Sequence, residues 1–426
     1  MTLGFLGPRF VAIVIFITTY FFFATGWRSR AIAAMAGAAA TWVFGVLSID
    51  AMLEYVDFNT LGLLFGMMVL VGVLSEANFF RLIGVKIANL VSCRANLLFI
   101  LFLSITAVLS ALLDNVTTVL FMVAITIDIS ELLKIDAKPF ILGEIFASNI
   151  GGTATLIGDP PNMMIASATG FTFTDFLEKA TPISMMATII AVGVLYLLYR
   201  KRLQASTIMD EIPMKMEDVI TDKRLFRLGT VMFVVTIALF FSHQMLHLSP
   251  ATVALVSATI ALFIGGPKMT DILERVEWRT LIFFACLFII VGGLEKTGAM
   301  TLIATGFSEY MTQGEWVTIS AVLWLSGIVS GFIDNVPFVA AFIPVIKEYA
   351  TLSGVGVSRL WWALAFGAGF GGNVTMIGAS SNVVAIGVAE SRGIKFGFYE
   401  FMKMGLQIAL LSIGVANLML VSFFLF

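Results

Sequence analysis

An all-α integral membrane fold made of two repeated five-span halves follows from three features of this 426-residue chain. Hydrophobic residues make up 59% of it and charged residues 12%, and its mean hydropathy is +1.01, far too apolar for a soluble globule of this length. Apolar runs of about 20 residues, the length that crosses a bilayer as a helix, recur throughout. Two polar strings return at a constant offset of 220 residues: Asp114-Asn115-Val116 as Asp334-Asn335-Val336, and GGTATLIGDPPN (151–162) as GGNVTMIGASSN (371–382). The second pair is identical at six of twelve positions, so one half is built like the other.

Composition also narrows the partners. The net charge of −2 and the scattered basic residues leave no patch for nucleic acid, and the lipid bilayer is the expected surrounding. Cys93 and Cys286 are the only cysteines and read as small hydrophobes, with no disulfide framework.

The first run, Phe10 to Phe23, has no basic n-region and no small-residue cleavage site after it, so residues 9–25 read as a retained first span. Spans follow at 31–49 and 58–75. Residues 79–92 read as an amphipathic interfacial helix joining a static part to a moving one. The apolar run 96–129 carries Asp114-Asn115 at its middle, which predicts a re-entrant hairpin. Residues 139–168 form a span broken by the glycine-rich string, and 182–199 closes the first repeat, 1–199. A polar linker, 200–227, carries seven Lys or Arg. The second repeat, 228–426, has scaffold spans within 228–294 (228–242, 251–266 and 278–294), then an amphipathic segment, 299–312, whose Thr301, Thr305, Ser308, Glu309 and Thr312 share a face. A hairpin at 316–349, a broken helix at 359–389 and a last span at 401–424 complete it.

Five crossings per half is an odd number, which turns the second half over relative to the first. Placing the linker in the cytoplasm and alternating outward puts 20 of the 25 Lys and Arg on that side, Arg28, Arg30, Lys268, Arg275 and Arg279 among them. That asymmetry fits the positive-inside tendency and predicts a multi-pass protein of the cell membrane, plasma or inner, with a cytoplasmic linker.

A carboxylate at bilayer depth costs about 2.5–3.5 kcal/mol on insertion scales and marks a functional site with a partner nearby. Asp114 and Asp334 meet that description, and each also suits the N-cap of the second hairpin helix; the two roles are compatible. With Asn115, Asn335, Thr117 and Thr118 they make oxygen-rich tips suited to a hard cation such as sodium, its candidate ligands being Asp114, Asn115, Asp334 and Asn335. In the glycine-rich strings, Gly151-Gly152 and Gly371-Gly372 break the helix, and Gly158 and Gly378 allow close backbone approach. Thr153, Thr155, Asn162, Asn373, Thr375 and Asn382 offer hydroxyls or amides. Half-helix ends carry about half a unit charge, positive at N-termini and negative at C-termini, and Pro160-Pro161 keeps the break open. A packing kink would need no such duplication, whereas paired interruptions in two halves point to a transport site.

The halves differ where Asp159 stands against Ala379, Pro160-Pro161 against Ser380-Ser381, and Glu144 against Leu364. Unpaired carboxylates in a partly dry site make Asp159 and Glu144 candidates for proton coupling. His243 and His247 have ligand spacing but no acidic third member, and read as interfacial. Gly62 and Gly66 permit close helix packing in the bundle or at a dimer seam.

SALLDNVTTVLFM (110–122), ASNIGGTATLIGDPPNMMIAS (147–167), IDNVPFVAAFIPV and GFGGNVTMIGASSNVVA together resemble the ion-transporter superfamily, most closely its citrate-transporter-like permeases, the branch with arsenite-efflux permeases and the melanosomal P protein. The resemblance implies an inverted-repeat elevator transporter, usually a homodimer, with the first three spans of each half as scaffold and the hairpins and broken helices as transport domain. It further implies sodium sites at Asp114, Asn115 and 151–158, and at Asp334, Asn335 and 371–378. This chain has Asp where dicarboxylate carriers of the superfamily have Ser, and two carboxylates repel a dicarboxylate unless a cation or proton neutralises them. The expected function is secondary active transport of a small ion coupled to Na+ or H+. A Na+/H+ antiporter and an anion channel are the alternatives, the channel needing a continuous path. No tightly bound cofactor is expected, and an ATPase subunit is expected as partner only for an arsenite permease. No GxxxxGK[ST] string occurs. Position 156 is Leu, which breaks the Gly-x-Gly-Asp string of intramembrane aspartyl proteases, so no enzyme activity is expected.

Overall fold

The computed structural model describes residues 7–25, 27, 29–203, 219–220, 222–266, 269–310, 315–353 and 357–422. Among the described residues every regular element is a helix. The first half contains α1 (Pro8–Thr25), α2 (Arg30–Val43), α3 (Ile49–Tyr55), α4 (Phe58–Glu76), α5 (Phe79–Leu90), α6 (Ala95–Leu112), α7 (Asn115–Leu133), α8 (Lys138–Gly152), α9 (Pro160–Thr169) and α10 (Phe173–Leu203). The second contains α11 (Lys223–Ser242), α12 (Pro250–Gly265), α13 (Met269–Glu274), α14 (Trp278–Lys296), α15 (Ala299–Tyr310), α16 (Glu315–Phe332), α17 (Asn335–Ser353), α18 (Ser358–Gly371), α19 (Ser380–Ser391) and α20 (Phe398–Ser422).

The 220-residue offset is visible in the helices themselves. Both ends of α4, α5, α6 and α7 coincide with those of α14, α15, α16 and α17 after that shift. Contacts between the halves come in exchanged pairs: α4 packs on α12 as α14 packs on α2, and α7 on α19 as α17 on α9.

Short polar side chains start the helices. Ser29 caps α2 by accepting the Ile32 N–H, Ser249 caps α12 ahead of Pro250, and Asp57 caps α4 by accepting from Asn59 and Thr60. Among the described residues eight helices are long and apolar enough to cross a membrane, α6 and α7 among them. The run expected as a hairpin, 96–129, consists of two helices, α6 and α7, parted where Leu113 and Asp114 adopt extended backbone. The spans expected at 139–168 and 359–389 are each two short helices around an irregular stretch, residues 153–159 and 372–379. The second span ends earlier than expected, at Val43, and the chain then forms the short helix α3, capped by Ser48. Helix α10 starts well before the expected Pro182 and contains a π-helical turn, Phe176–Ala180.

Helix α5 buries Phe80, Leu82, Val85 and Ala88, and Phe80 stacks on Phe121 of α7 with ring centroids 4.6 Å apart. Most of the linker 200–227, together with Arg28, Lys268, Thr312 and the side chains of Ser308 and Glu309, lies outside the described residues.

The broken helices form the centre. Every residue from Pro139 to Ala166 but none of the outer spans is continuously buried, and glycines make that density attainable. A Cβ on Gly151 would stand 2.6 Å from Ala107 Cα, and one on Gly371 would stand 2.6 Å from Gly327 Cα, so α8 touches α6, and α18 touches α16, backbone to backbone. Gly151→Val or Gly371→Val is expected to lower stability by about 1–3 kcal/mol through overpacking, read as a fall in the melting temperature of the purified protein. Gly387→Ala, in open space, is expected to change it by no more than about 1 kcal/mol.

Candidate functional site

Two helix-starting turns and two unwound stretches meet in the interior. Asp114 N-caps α7, its Oδ1 accepting the Thr117 N–H at 2.9 Å. Asp334 stands at the start of α17, its Oδ1 accepting the Val336 N–H at 3.1 Å. Both carboxylates are buried, as are Asn115, Asn335 and Asp159.

The unwound stretches are held by side chains in matching ways. Asn162 donates its amide to the carbonyls of Gly152 (3.3 Å) and Thr155 (2.8 Å), and Asn382 donates to those of Gly372 (2.7 Å) and Thr375 (2.9 Å). The Thr155 hydroxyl donates to the Ala111 carbonyl and that of Thr375 to the Gly331 carbonyl at 2.6 Å. Ser110 donates to the Ser148 carbonyl at 2.8 Å, and Ser330 to that of Ala368 at 2.7 Å. These bonds go to carbonyls in or beside the breaks and hairpin ends, where an apolar interior requires backbone groups to be bonded; those of Ala368 and Thr375 also accept the Gly372 and Gly378 N–H. Gly158 lies against the backbone of Gly152 and Ser110, and Gly378 against that of Gly372 and Gly331.

Cross-links join the two breaks. The Asn149 amide donates to Asn373 Oδ1 and Asn382 Oδ1, both at 2.8 Å, while its own Oδ1 accepts the Ser381 hydroxyl at 2.7 Å. Asn335 Nδ2 donates to Asp159 Oδ2 at 3.0 Å, tying the second hairpin turn to the first break. Asp334 is paired with Arg30, whose Nη1 meets its Oδ2, and Ser380 donates to the same oxygen at 2.7 Å. By contrast Asp114 Oδ2 and Asp159 Oδ1 have no hydrogen-bond partner among the described residues.

A cavity of about 440 Å³ opens onto this centre. Asn115, Asp159 and Asn335 form its floor, Arg30, Ser29 and Thr25 line it from the α1–α2 end, and Glu277, Arg279 and Thr280 from the start of α14. A second cavity, about 150 Å³, is lined by Asn59, Thr60, Ser249, Pro250 and Ala251. Shifted by 220 residues, these are Arg279, Thr280, Ser29, Arg30 and Ala31 of the larger cavity. His243, expected at the interface, is buried and lines the smaller one.

The predicted residues thus fall into groups. Asp114, Asn115, Asp159, Asp334 and Asn335 converge on the centre. Thr153 donates to the Ile150 carbonyl at 2.6 Å and pairs with Ser184, and Thr155, Thr375, Asn162 and Asn382 bond the backbone of the breaks. Thr117 lines a separate cavity beside Phe121 and Arg275; Thr118 is buried with an unpartnered hydroxyl among the described residues. Glu144 lies fully buried in α8, accepting the Thr126 hydroxyl at 2.6 Å. Sequence reasoning missed Arg30, Glu277 and Asn149. Their only signals were a basic residue opening an apolar run, an acid-aromatic-base string before α14, and an amide two residues ahead of the glycine pair.

Unwound backbone at the heart of an apolar helical bundle, beside a cavity of about 440 Å³, is the arrangement of a multi-pass membrane transport protein. The family described as citrate transporter (CitMHS) matches residues 20–367, and the chain belongs to it. A protein of Mycobacterium tuberculosis H37Rv, named only as an uncharacterized transporter, is 38% identical over 418 residues, covering 96% of this chain and 97% of its own. The human P protein is 32% identical over 477 residues, covering 91% of this chain and 56% of its own. The crystal structure of the Alcanivorax borkumensis YdaH transporter is similar in fold, with a TM-score of 0.60 at 15% identity over 89% of this chain and 91% of that one.

Asn149→Ala is expected to destabilise the protein by about 1–3 kcal/mol, because it strands polar atoms of Asn373, Asn382 and Ser381 in a dry interior. Asn149→Asp, which keeps the acceptor for Ser381 and loses the donor to the two asparagines, is expected to fall at least as far in thermal unfolding.

Proposed function

We propose that this membrane transporter is a secondary active carrier that moves a small ion, coupled to Na+ or H+, by alternating access. The reading rests above all on Asp159. It lies on the wall of the large cavity, 1% exposed; one oxygen is held by Asn335 from the other half, and the other has no partner among the described residues. A buried carboxylate at a cavity wall with one idle oxygen is a place for a cation or a proton. Asp114, with its own idle oxygen, and Asn115 complete an oxygen set of the kind a hard cation takes.

The unequal cavities support alternating access. They are lined by the same positions of the two repeats, one about 440 Å³ and the other about 150 Å³. A duplicated module whose equivalent cavities differ in size fits a carrier away from the midpoint of its cycle. With the repeats inverted and the linker cytoplasmic, the open cavity, at the end carrying Arg30, Arg275 and Arg279, faces the cytoplasm. In an elevator of this kind, α1, α2, α4 and their repeats form the scaffold, and the re-entrant pairs α6–α7 and α16–α17 move with the broken helices. A homodimer in the cell membrane is the assembly this reading takes.

A Na+/H+ antiporter is the second reading. The cavity wall sets Asp159 and Glu277 beside the already paired Arg30 and the exposed Arg279, so it offers no surplus of positive charge for a multiply charged anion such as citrate. On either reading Asp159 and Glu144 are the candidates for carrying the proton.

Reconstitution into liposomes with imposed Na+ and pH gradients, screening citrate, dicarboxylates, arsenite and sodium itself, tests the proposal. Asp159→Asn and Asn115→Ala are each expected to slow the coupled flux about tenfold or more, the equivalent of one charge-assisted ligand. Wild-type flux in Asp159→Asn, or a pH dependence unaltered in Asp159→Asn/Glu144→Gln, would remove the carboxylate from the coupling step.

A further inference from the structure

Arg30 is the one basic side chain that reaches the centre of the described structure, and its placement is informative. It opens α2, where the helix dipole presents positive charge and disfavours a cation, so its position does nothing for the helix that carries it. Its guanidinium instead crosses to three oxygens on other elements. Nη1 meets Asp334 Oδ2 and lies 2.7 Å from Ser380 Oγ, and Nη2 donates to the Ile377 carbonyl at 3.4 Å. A carboxylate, a hydroxyl and an unwound-backbone carbonyl form the donor set that a bare hard cation would occupy.

The repeat supplies a control. After the 220-residue shift, Arg30 corresponds to Pro250, Ser380 to Pro160 and Asp334 to Asp114. Among the described residues no cationic side chain is bonded at the first turn, and its Asp114 Oδ2 has no partner. One turn holds a permanent positive charge on a side chain; the other has none.

Helix α2 packs on α1 and α14, whereas Asp334, Ile377 and Ser380 belong to the second hairpin turn and the second break. The ion pair therefore ties one group of helices to the other.

We infer that Arg30 is a tethered cation that fills the second-turn oxygen site and latches the hairpins and breaks to α2, leaving the first turn as the one place for a free cation. Movement of the latched group requires the guanidinium to leave Asp334; this part rests on the alternating-access reading, while occupancy of the site does not.

The test uses the full chain in lipid nanodiscs with spin labels at Met35 of α2 and Glu390 of α19, in a Cys93→Ala/Cys286→Ala background. With choline as the only added cation, the unsubstituted latch should give one narrow distance distribution. Arg30→Gln should raise the population at other distances about tenfold, and Asp334→Asn should do the same. The two together should do no more than either alone, and Arg30→Lys should stay close to the narrow state. Sodium in place of choline should raise the melting temperature of Arg30→Gln by more than that of Arg30→Gln/Asp334→Asn, because a free cation then takes the vacated oxygens. A distribution unchanged by Arg30→Gln, additive effects in the double variant, or indifference of Arg30→Gln to sodium would each overturn the inference. Failure of the transport reading looks different: the distances respond as described, yet no solute crosses liposomes under any gradient.

Discussion

The requirement that every backbone polar group inside an apolar bundle find a partner governs this structure. Residues 153–159 and 372–379 leave the helix in the most buried part of the molecule, where water cannot satisfy them. The chain meets that demand with side chains at repeated positions: an amide at 162 and 382, a hydroxyl at 155 and 375, another at 110 and 330. Glycine at 151 and 371 brings neighbouring helices close enough for those short side chains to reach. Half-helices that end and begin in the interior follow from this, and with them the partial charges that can face a bound ion.

Much of that arrangement was legible in the sequence because the repeat signals it. Duplicated glycines and an Asp-Asn pair inside apolar runs cannot be explained by lipid exposure, and the helices break and turn where those residues stand. The division of labour among the polar residues was not legible. Thr153, Thr155 and Thr375 look like ligands in a list of oxygens, yet their hydroxyls are engaged by backbone carbonyls. For Thr155 and Thr375 that use depends on a carbonyl 44 positions away in sequence, and spacing carries no record of it. Arg30 was hidden for a related reason. A basic residue at a span end is ordinarily explained by membrane topology, and its partner Asp334 lies 304 positions along the chain.

Symmetry and its violation do different work. Where the halves agree, at the glycines, the amides and the hydroxyls, they build the same scaffold twice. Where they differ, the residues are charged or take the place of charge: Asp159 against Ala379, Arg30 against Pro250, Ser380 against Pro160. Duplication of the scaffold secures two similar backbone cradles. Divergence at these few positions makes one cradle anionic and the other self-neutralised.

That electrostatic inequality bears on what the protein can hold. Asp334 lies buried but is neutralised by Arg30 and receives a hydroxyl bond from Ser380. Asp114 and Asp159 receive one hydrogen bond to a single oxygen each from the Thr117 N–H and the Asn335 amide. Two buried carboxylates at the centre, with no cationic side chain bonded to them among the described residues, would repel each other and pay full desolvation if both were ionised. The cost falls when a cation or proton joins them, and the free energy so gained is available to couple that ion's binding to the shape of the site. On the proposed carrier reading, such a cradle would need no separate sensor for its coupling ion, because occupancy itself would change the balance between its two arrangements.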